Sequence, residues 1–328
     1  MGQNGGGLPS VLFYHNSMEK LAKSIAEHCQ CKSGGETVSL KHNIQWKSFE
    51  DGWPNLFIEN VKENCAGRDV IFLGSFHSPE VVFEQLSIVY NIPRYLARSF
   101  TFILPYFPTG TMERVDKEGQ IATAKTLSRM ISSIPLTARG PAQVVIYDIH
   151  CLQERFYFSD EVIPRLETAI PLLLAKLKTL PDKEKISIAF PDEGAFKRFH
   201  TQFEEYPTII CIKQREENKR IVKIKDGEPD CRHVVIVDDL IKTGGTILEC
   251  AKALKKAGAA KISAYVTHGV FPQESWKRFT TSDVPFENFF ITDSLPYAEE
   301  IVQHKPFQLL SLTSCIAEAL LGFDLKQS

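Results

Sequence analysis

An apolar run that ends in two adjacent aspartates carries the clearest chemistry in the sequence. Residues 234–246 read VVIVDDLIKTGGT, so Asp238 and Asp239 follow four apolar residues, and a Thr-Gly-Gly-Thr turn follows Lys242. Backbone N–H groups of such a turn, at the start of a helix, bind phosphate. Carboxylates beside them can accept hydrogen bonds from ribose hydroxyls or hold a sugar-bound cation. The segment predicts a site for a phosphorylated sugar; the alternative is a capped helix whose preceding aspartates face solvent.

Two other apolar runs also end in polar groups. Asp148 and His150 follow Val144–Tyr147, and Asp192 follows Ile186–Phe190. Ligands of open α/β sheets bind at the carboxyl ends of the strands. Mg²⁺ usually takes only one or two protein carboxylates, and water and phosphate oxygens complete its shell. These strand ends are therefore candidates for metal and ligand binding, with a structural histidine and an acidic surface turn as the alternatives.

Lys213 and Arg215 alternate along an extended segment after Ile209–Ile212. Side chains two residues apart on a strand point the same way, so the two cations are expected on one face. Phosphoryl transfer uses such cations against the charge of the transferred group. The alternative is a solvated, charged loop.

Two aromatic loops carry charged groups, and the first of them, at residues 49–53, could serve a nucleobase. Phe49, Asp51 and Trp53 surround a turn, and the loop 106–114 ends in Arg114. Either loop alone is also typical of an ordinary surface connection.

Composition narrows the class of protein. With 328 residues, the chain is long enough for two domains, and a net charge of -2 argues against nucleic acid as the main partner. Its eight cysteines form no CxxC pair, which suits a reducing compartment. The N-terminus, MGQNGGGLPS, lacks the pattern of a signal peptide, and no apolar run is long enough to span a membrane. A cytoplasmic protein without a membrane partner is expected.

Short apolar runs alternate with helical patterns, which predicts α/β architecture with parallel sheets. The predicted strands are Val11–Tyr14, Val70–Ser75, Thr101–Leu104, Val144–Tyr147, Ile186–Phe190, Ile209–Ile212, Val234–Val237 and Ile262–Val266. The predicted helices are Ser17–His28, Pro79–Tyr90, Thr123–Ser132, Arg165–Lys178, Thr246–Ala257 and Ser314–Leu321.

A strand–helix–strand unit beginning at Asp69–Leu73 matches in length another that begins at His233–Val237. If the chain arose by duplication, Gly74–His77 replaces the acidic glycine loop in the first copy. Two unrelated units are the alternative.

The glycine loop resembles the phosphoribosyl diphosphate (PRPP) loop that type I phosphoribosyltransferases share with PRPP synthetases. Taken in order, the other segments resemble ribose-phosphate pyrophosphokinases, the PRPP synthetases. The matching positions are Phe49, Asp51 and Gly52 of the adenine segment, Arg114 and Asp116 of the ATP loop, Asp148 and His150 of a strand end, Pro191, Asp192 and Gly194 of a turn, Lys213 and Arg215 of the catalytic loop, and Asp238–Thr246 of the ribose 5-phosphate loop.

This resemblance implies transfer of a diphosphoryl group from ATP to O1 of ribose 5-phosphate, with Mg²⁺, in a homo-oligomer. It also implies an α/β fold of two phosphoribosyltransferase-like domains, each a mainly parallel sheet flanked by helices. The expected domains are 1–164 and 165–328, with the C-terminal helix expected to pack on the first. The implied roles are catalysis by Lys213 and Arg215; nucleotide binding by Phe49, Asp51, Arg114 and His150; metal binding by Asp148, His150 and Asp192; and sugar-phosphate binding by Asp238, Asp239, Lys242, Thr243, Gly244, Gly245 and Thr246.

Three departures resemble the plant-type class II of the family. Trp53 stands where the regulated class has an adenine-reading glutamate, Lys242 replaces an acidic residue, and the segment from Arg114 to Lys125 is shorter. This class works without phosphate activation and accepts several nucleoside triphosphates. The rival functions are a phosphoribosyltransferase and a non-catalytic, synthetase-like regulatory subunit.

Overall fold

The computed structural model describes residues 8–35, 37–216 and 219–324, and the side chains of residues 215, 216, 219, 220, 323 and 324 are outside the described part. The chain divides into two compact units. The first runs to Glu167 and takes in the C-terminal segment from Leu312, whereas the second is Thr168–Ser311. The boundary thus lies at Glu167 rather than at residue 164.

The first unit contains a six-stranded, fully parallel sheet in the order β2-β1-β5-β6-β7-β8, beside an antiparallel hairpin of β3 and β4. Its strands are β1 (Ser10–Tyr14), β2 (Val38–Leu40), β3 (Ile44–Ser48), β4 (Pro54–Ile58), β5 (Asp69–Leu73), β6 (Ser99–Ile103), β7 (Ala142–Tyr147) and β8 (Val162–Glu167). Its helices are α1 (Glu19–Ser33), α2 (Val61–Asn64), α3 (Glu80–Arg94), α4 (Thr123–Ile131) and, from the C-terminal segment, α10 (Thr313–Ala319).

Helix α1 shows why the C-terminal segment belongs to this unit. It buries one apolar side, which includes Leu21, Ile25 and Cys29, because these residues recur at helical spacing. Helix α10 packs against α1, and the exposed pair Lys32–Glu318 joins the two at 3.3 Å. The last helix therefore belongs to the first unit.

The second unit contains a seven-stranded sheet in the order β11-β10-β9-β12-β13-β14-β15, parallel except for the antiparallel pair β10–β11. Its strands are β9 (Ile186–Phe190), β10 (Thr208–Glu216), β11 (Lys219–Asp226), β12 (His233–Ile241), β13 (Lys261–Gly269), β14 (Phe289–Thr292) and β15 (Phe307–Leu310). Its helices are α5 (Ile170–Leu177), α6 (Glu193–Phe199), α7 (Gly245–Lys256), α8 (Lys277–Thr280) and α9 (Ala298–Ile301).

Strand β12 shows why this sheet is covered on both faces. Val234 and Ile236 join the apolar cluster that contains α7, whereas Val235 and Val237 join the cluster that contains α5 and α6. Successive side chains of a strand point to opposite faces, so a continuous apolar run suits a strand between two helical layers. The acidic pair lies on this central, rigid strand.

All eight predicted strands are present, but several predicted boundaries are wrong, and two of these errors have a clear physical reason. Arg165–Glu167, placed in a helix by the sequence pattern, completes β8, because these residues pair with β7 at the edge of the first sheet. Strand β12 continues to Ile241 instead of ending before Asp238, because Asp238 and Leu240 still pair with β13. Strands β2, β3, β4, β8, β11, β14 and β15 are additions that the sequence patterns did not predict.

The two sheets share one strand order. β2-β1-β5-β6-β7-β8 in the first unit matches β10-β9-β12-β13-β14-β15 in the second. The two units singled out as a possible repeat, β5–α3–β6 and β12–α7–β13, occupy equivalent places in this order, which favours duplication over coincidence. Within the described residues, no helix is both long and apolar enough to cross a bilayer.

Candidate sugar-phosphate site

The acidic pair lies inside β12, near its carboxyl end. Asp239 is 6% exposed, and its backbone N–H donates to Asp238 Oδ1 at 3.0 Å. Burial raises the pKa of Asp238 well above its ordinary value, and the adjacent Asp239 and nearby Asp192 raise it further, because each carboxylate disfavours a second negative charge close by. The strand end therefore concentrates acidic groups that a cation or several sugar hydroxyls would stabilise.

This arrangement predicts that Asp238→Asn stabilises the protein while weakening the site. An unfolded aspartate titrates near about pH 3.9. Folding raises the pKa of Asp238, so the folded state binds the carboxyl proton more tightly than the unfolded state does. The free energy of unfolding therefore falls as pH rises from the unfolded pKa of the carboxyl to its folded pKa. Asparagine removes this loss, which amounts to about 1.4 kcal/mol for each unit by which the pKa is raised.

The measurement is thermal unfolding of the variant and its parent between about pH 4 and pH 8. The advantage of Asp238→Asn should grow with pH and vanish at the acid end. Asp160→Asn, at an exposed position, is the matched control and should show no such trend. A constant difference between Asp238→Asn and its parent across the range would contradict the raised pKa.

The glycine turn has the conformation that a phosphate loop needs. Gly244 has φ +80° and occupies the N-cap of α7 without a side chain to cap the helix. The first N–H groups of a helix have no partner within it, so those of α7 suit an anion. A Cβ on Gly244 would come within 2.5 Å of the Phe279 ring, so both the backbone angle and the packing require glycine here. Lys242 and Thr243 are exposed at the turn.

Two side chains from a later segment hydrogen-bond to this turn, and the sequence patterns pointed to neither of them. Ser275 Oγ donates to the carbonyl of Lys242 at 2.8 Å, and Arg278 Nη1 donates to the carbonyl of Thr243 at 2.6 Å. Both follow the turn by more than thirty residues, and no local motif marks them. Because both carbonyls accept hydrogen bonds from these side chains, the position of the turn is fixed. Its N–H groups can then bind a ligand without rearrangement.

Asp192 and Lys213 form an ion pair in the same unit. Asp192 is the N-cap of α6: its Oδ1 accepts from the Ala195 amide at 2.9 Å, and its Oδ2 accepts from Lys213 Nζ at 2.6 Å. Burial alone would raise the pKa of Asp192, but Lys213 and the amide hold it below its ordinary value. The carboxylate stays charged, and Lys213 is held close to the acidic strand end.

The other predicted catalytic residue, Arg215, lies on β10 with Lys213, but its side chain is outside the described part of the structure. Its predicted role therefore stays a prediction. Next to this pair, Lys225 on β11 bonds Glu193 at 2.6 Å. That second ion pair has similar chemistry and offers a control for the first.

The predicted nucleotide residues lie in the first unit, in two exposed places. Phe49 and Trp53 are 56% and 61% exposed at the tip of the β3–β4 hairpin, where Asp51 Oδ1 accepts from the Trp53 amide at 3.2 Å. Trp53 also packs edge-on against Phe83 at 5.5 Å. Arg114, whose side chain is 77% exposed, lies within 4 Å of Asp116. These flat and cationic groups suit a base and phosphates, respectively.

The predicted metal ligands are divided between the units. Asp148 is fully buried at the end of β7, with φ +38°, and His150 is exposed just after it, whereas Asp192 belongs to the second unit. Among the described residues, no group of three His, Cys, Asp or Glu side chains is placed to hold one metal ion. This pattern does not suit a closed zinc-type site. The carboxylates fit Mg²⁺, which is held by few protein oxygens and by substrate phosphates.

The two units have mainly parallel sheets with the same strand order, and the second unit has a glycine turn at the start of a helix. This combination is typical of α/β proteins with the phosphoribosyltransferase fold. Comparison with known families agrees. The model described as the N-terminal domain of ribose phosphate pyrophosphokinase matches residues 10–134. The model described as the phosphoribosyl synthetase-associated domain matches residues 207–327.

Relatives and solved structures extend this match to almost the whole chain. Ribose-phosphate pyrophosphokinase 4 of Arabidopsis thaliana is 52% identical over 314 residues, which are 94% of this chain and 91% of that protein. The chloroplastic ribose-phosphate pyrophosphokinase 3 of the same plant is also 52% identical, over 94% of this chain and 75% of its own length. The chain therefore belongs to the ribose-phosphate pyrophosphokinase family.

The phosphoribosylpyrophosphate synthetase of Mycobacterium smegmatis shares the fold, with a TM-score of 0.80, 20% identity and coverage of 96% of this chain and 98% of that one. The predicted family and the predicted fold of two phosphoribosyltransferase-like domains are both confirmed.

Proposed function

We propose that the chain transfers the diphosphoryl group of ATP to O1 of ribose 5-phosphate, giving PRPP and AMP. One observation supports this proposal most strongly: the second unit contains three features together. They are the glycine turn at the start of α7, the acidic end of β12 and the Lys213–Asp192 ion pair. A phosphoribosyltransferase would account for the turn and the acidic pair. The similarity to pyrophosphokinases over 94% of the chain favours the synthetase.

The proposed mechanism relies on positioning and on electrostatic stabilisation. The turn Lys242–Thr246 binds the 5-phosphate through backbone N–H groups, and Asp238 and Asp239 accept hydrogen bonds from the ribose hydroxyls. The anomeric hydroxyl attacks the β-phosphorus in line with the departing AMP. Lys213 stabilises the negative charge that develops on the transferred group.

The remaining assignments follow the family resemblance. Arg215 acts with Lys213, Phe49 and Asp51 bind the base, and Arg114 and His150 contact the nucleotide. Asp148, His150 and Asp192 are the proposed groups for holding Mg²⁺, which neutralises phosphate charge when bound. Asp192 retains capacity for this role, because a carboxylate offers about four lone-pair positions, and Asp192 accepts from Lys213 and from the amides of Ala195 and Gly194.

One assay separates the three candidate functions. Purified protein is incubated with ribose 5-phosphate, Mg²⁺ and ATP, and AMP and PRPP are quantified. Equal formation of AMP and PRPP supports the synthetase. Consumption of added PRPP with a nucleobase, without ATP, identifies a phosphoribosyltransferase instead. A folded protein with neither activity would be the non-catalytic subunit.

The nucleotide donor should be loosely selected. Trp53 can donate one hydrogen bond and stack on any base, but it cannot accept one, and it stands exposed at the hairpin tip. We therefore expect GTP and CTP to support turnover within about tenfold of ATP, because stacking discriminates weakly between bases. We also expect activity without added phosphate, and ADP should inhibit by competing with ATP. A strict ATP requirement with cooperative ADP inhibition would contradict this prediction.

We further propose a homo-oligomer in the cytoplasm. Light scattering of the purified protein tests the assembly. The name of the chloroplastic Arabidopsis relative makes a plastid the main alternative compartment. Imaging of the full chain with a C-terminal fluorescent tag separates the two locations.

A further inference from the structure

Two cysteine thiols meet inside the second unit. Cys211 lies on β10 and Cys250 on α7, and the Cys250 thiol donates to Cys211 Sγ at 3.5 Å. Both residues are fully buried. The chain positions are 39 residues apart, so the contact depends on the packing of α7 against the sheet.

The two thiols are not equivalent. The hydrogen bond from Cys250 lowers the pKa of Cys211, whereas that bond together with burial raises the pKa of Cys250. Thiolates, not thiols, are the nucleophiles in oxidation chemistry. The accepting sulfur, Cys211 Sγ, is therefore the one on which the contact favours negative charge.

A groove of about 690 Å³ lies between β11 and α7, and neither cysteine contributes to its lining. Val222, Ile224, Ala253 and Ala257 contribute to its lining. Ile224 pairs with Cys211 across the β10–β11 ladder, and Ala253 and Ala257 follow Cys250 at helical spacing. The groove brings solvent to α7, which holds Cys250, and to β11, the strand paired with β10, so a small oxidant needs only a local opening to reach the thiols.

We propose that Cys211 and Cys250 form an intramolecular disulfide under oxidation by a peroxide, and that this bond switches the sugar-phosphate site off. The Cys211 thiolate attacks one peroxide oxygen and the O–O bond breaks, giving a sulfenic acid and hydroxide, which the proton released from the Cys211 thiol converts to water. The Cys250 sulfur then attacks the sulfenic sulfur and releases a second water. Overall, the two thiols lose two electrons and two protons and form one disulfide. Hydrogen peroxide takes up these electrons and protons and becomes two water molecules.

The bond would act on the site because each cysteine belongs to an element of it. Cys211 precedes Lys213 by two residues on β10, and Cys250 lies in the second turn of α7, whose first turn follows Gly244. Closing 3.5 Å between sulfurs to about 2.0 Å draws the strand and the helix together. A displacement of about 1 Å in a phosphoryl-transfer site costs up to about a hundredfold in rate.

Mass spectrometry tests the bond independently of activity. Full-length protein is treated with hydrogen peroxide, alkylated and digested with trypsin without reduction. We expect the peptides Phe199–Lys213 and Thr243–Lys252 to appear cross-linked and to separate after dithiothreitol. Absence of this cross-link, or oxidation that stops at other cysteines, overturns the proposal.

The activity arm rests on the proposed function, and the mass measurement does not. Peroxide should lower PRPP formation at least about tenfold, and dithiothreitol should restore it. Cys250→Ser should keep its activity under the same treatment, whereas Cys65→Ser, which removes a buried thiol from the first unit, should lose activity like the parent. Equal loss in Cys250→Ser and the parent would show that the bond is not the switch. Thermal unfolding shows whether both variants are folded. If Cys250→Ser is not folded, Cys250→Ala replaces it in the assay.

Discussion

Replacing Lys213 by alanine is expected to lower kcat by on the order of a hundredfold or more. Lys213 Nζ is held at 2.6 Å by Asp192, and the Asp192 carboxylate lies close enough to Asp238 to raise the pKa of that residue. In the proposed reaction its ammonium group faces charge that develops in the transition state, so its loss should reduce kcat more than it raises KM. The measurement is steady-state PRPP formation at saturating ATP and ribose 5-phosphate.

Lys225→Ala is the matched control for Lys213→Ala. Lys225 pairs with Glu193 at 2.6 Å, one residue along from Asp192, and it lies on the neighbouring strand. Both partners of this pair are exposed to solvent, which screens their attraction, so the control should retain its activity and fold. If Lys213→Ala stays within about threefold of the parent, Lys213 does not stabilise the transition state.

Replacing Gly244 by alanine is expected to raise the KM for ribose 5-phosphate by about a hundredfold, with a smaller effect on the KM for ATP. Two causes act together. A left-handed conformation costs a non-glycine residue about 1–2 kcal/mol, and the added Cβ would lie 2.5 Å from the Phe279 ring. Phe279 is packed among Phe271, Phe286 and Phe289, so the turn rather than the ring must move. Isothermal calorimetry with ribose 5-phosphate measures the loss directly.

Gly67→Ala separates the two causes. Gly67 has φ +68° and no atom within 4 Å of an added Cβ, so this variant carries similar backbone strain without the clash and outside the sugar-phosphate site. It should lose stability but bind ribose 5-phosphate like the parent. Normal binding by Gly244→Ala would mean that the turn does not hold the phosphate.

Sequence patterns predicted the strand and the glycine turn of the candidate site because those patterns are local. The run Val234–Val237 is continuous and apolar, which is typical of a strand covered on both faces, and the glycines after Lys242 mark the turn. They located the turn but misjudged the strand end, because the pairing of Asp238 and Leu240 with β13 cannot be seen within one segment.

Contacts between distant segments were not predicted, because sequence patterns describe only residues that are near one another along the chain. Ser275 and Arg278 hold the turn through single hydrogen bonds to carbonyls, which no residue pattern encodes. Residues Arg165–Glu167, the end of strand β8, were predicted as the start of a helix because their pairing with β7 cannot be seen in the sequence. The edge strand β11 has one neighbour and a polar sequence, so hydrophobic periodicity gives it little signal.

The sequence by itself determined the family, the alternating α/β plan and the residue types of the candidate site, since periodicity and short motifs depend on neighbours along the chain. The tertiary structure decided which of those residues share a unit. It joined Asp192 to Lys213, set Phe279 against Gly244 and brought Cys211 to Cys250. Such contacts arise from the packing of helices on a sheet, where burial and close fit fix distances that no spacing along the chain contains.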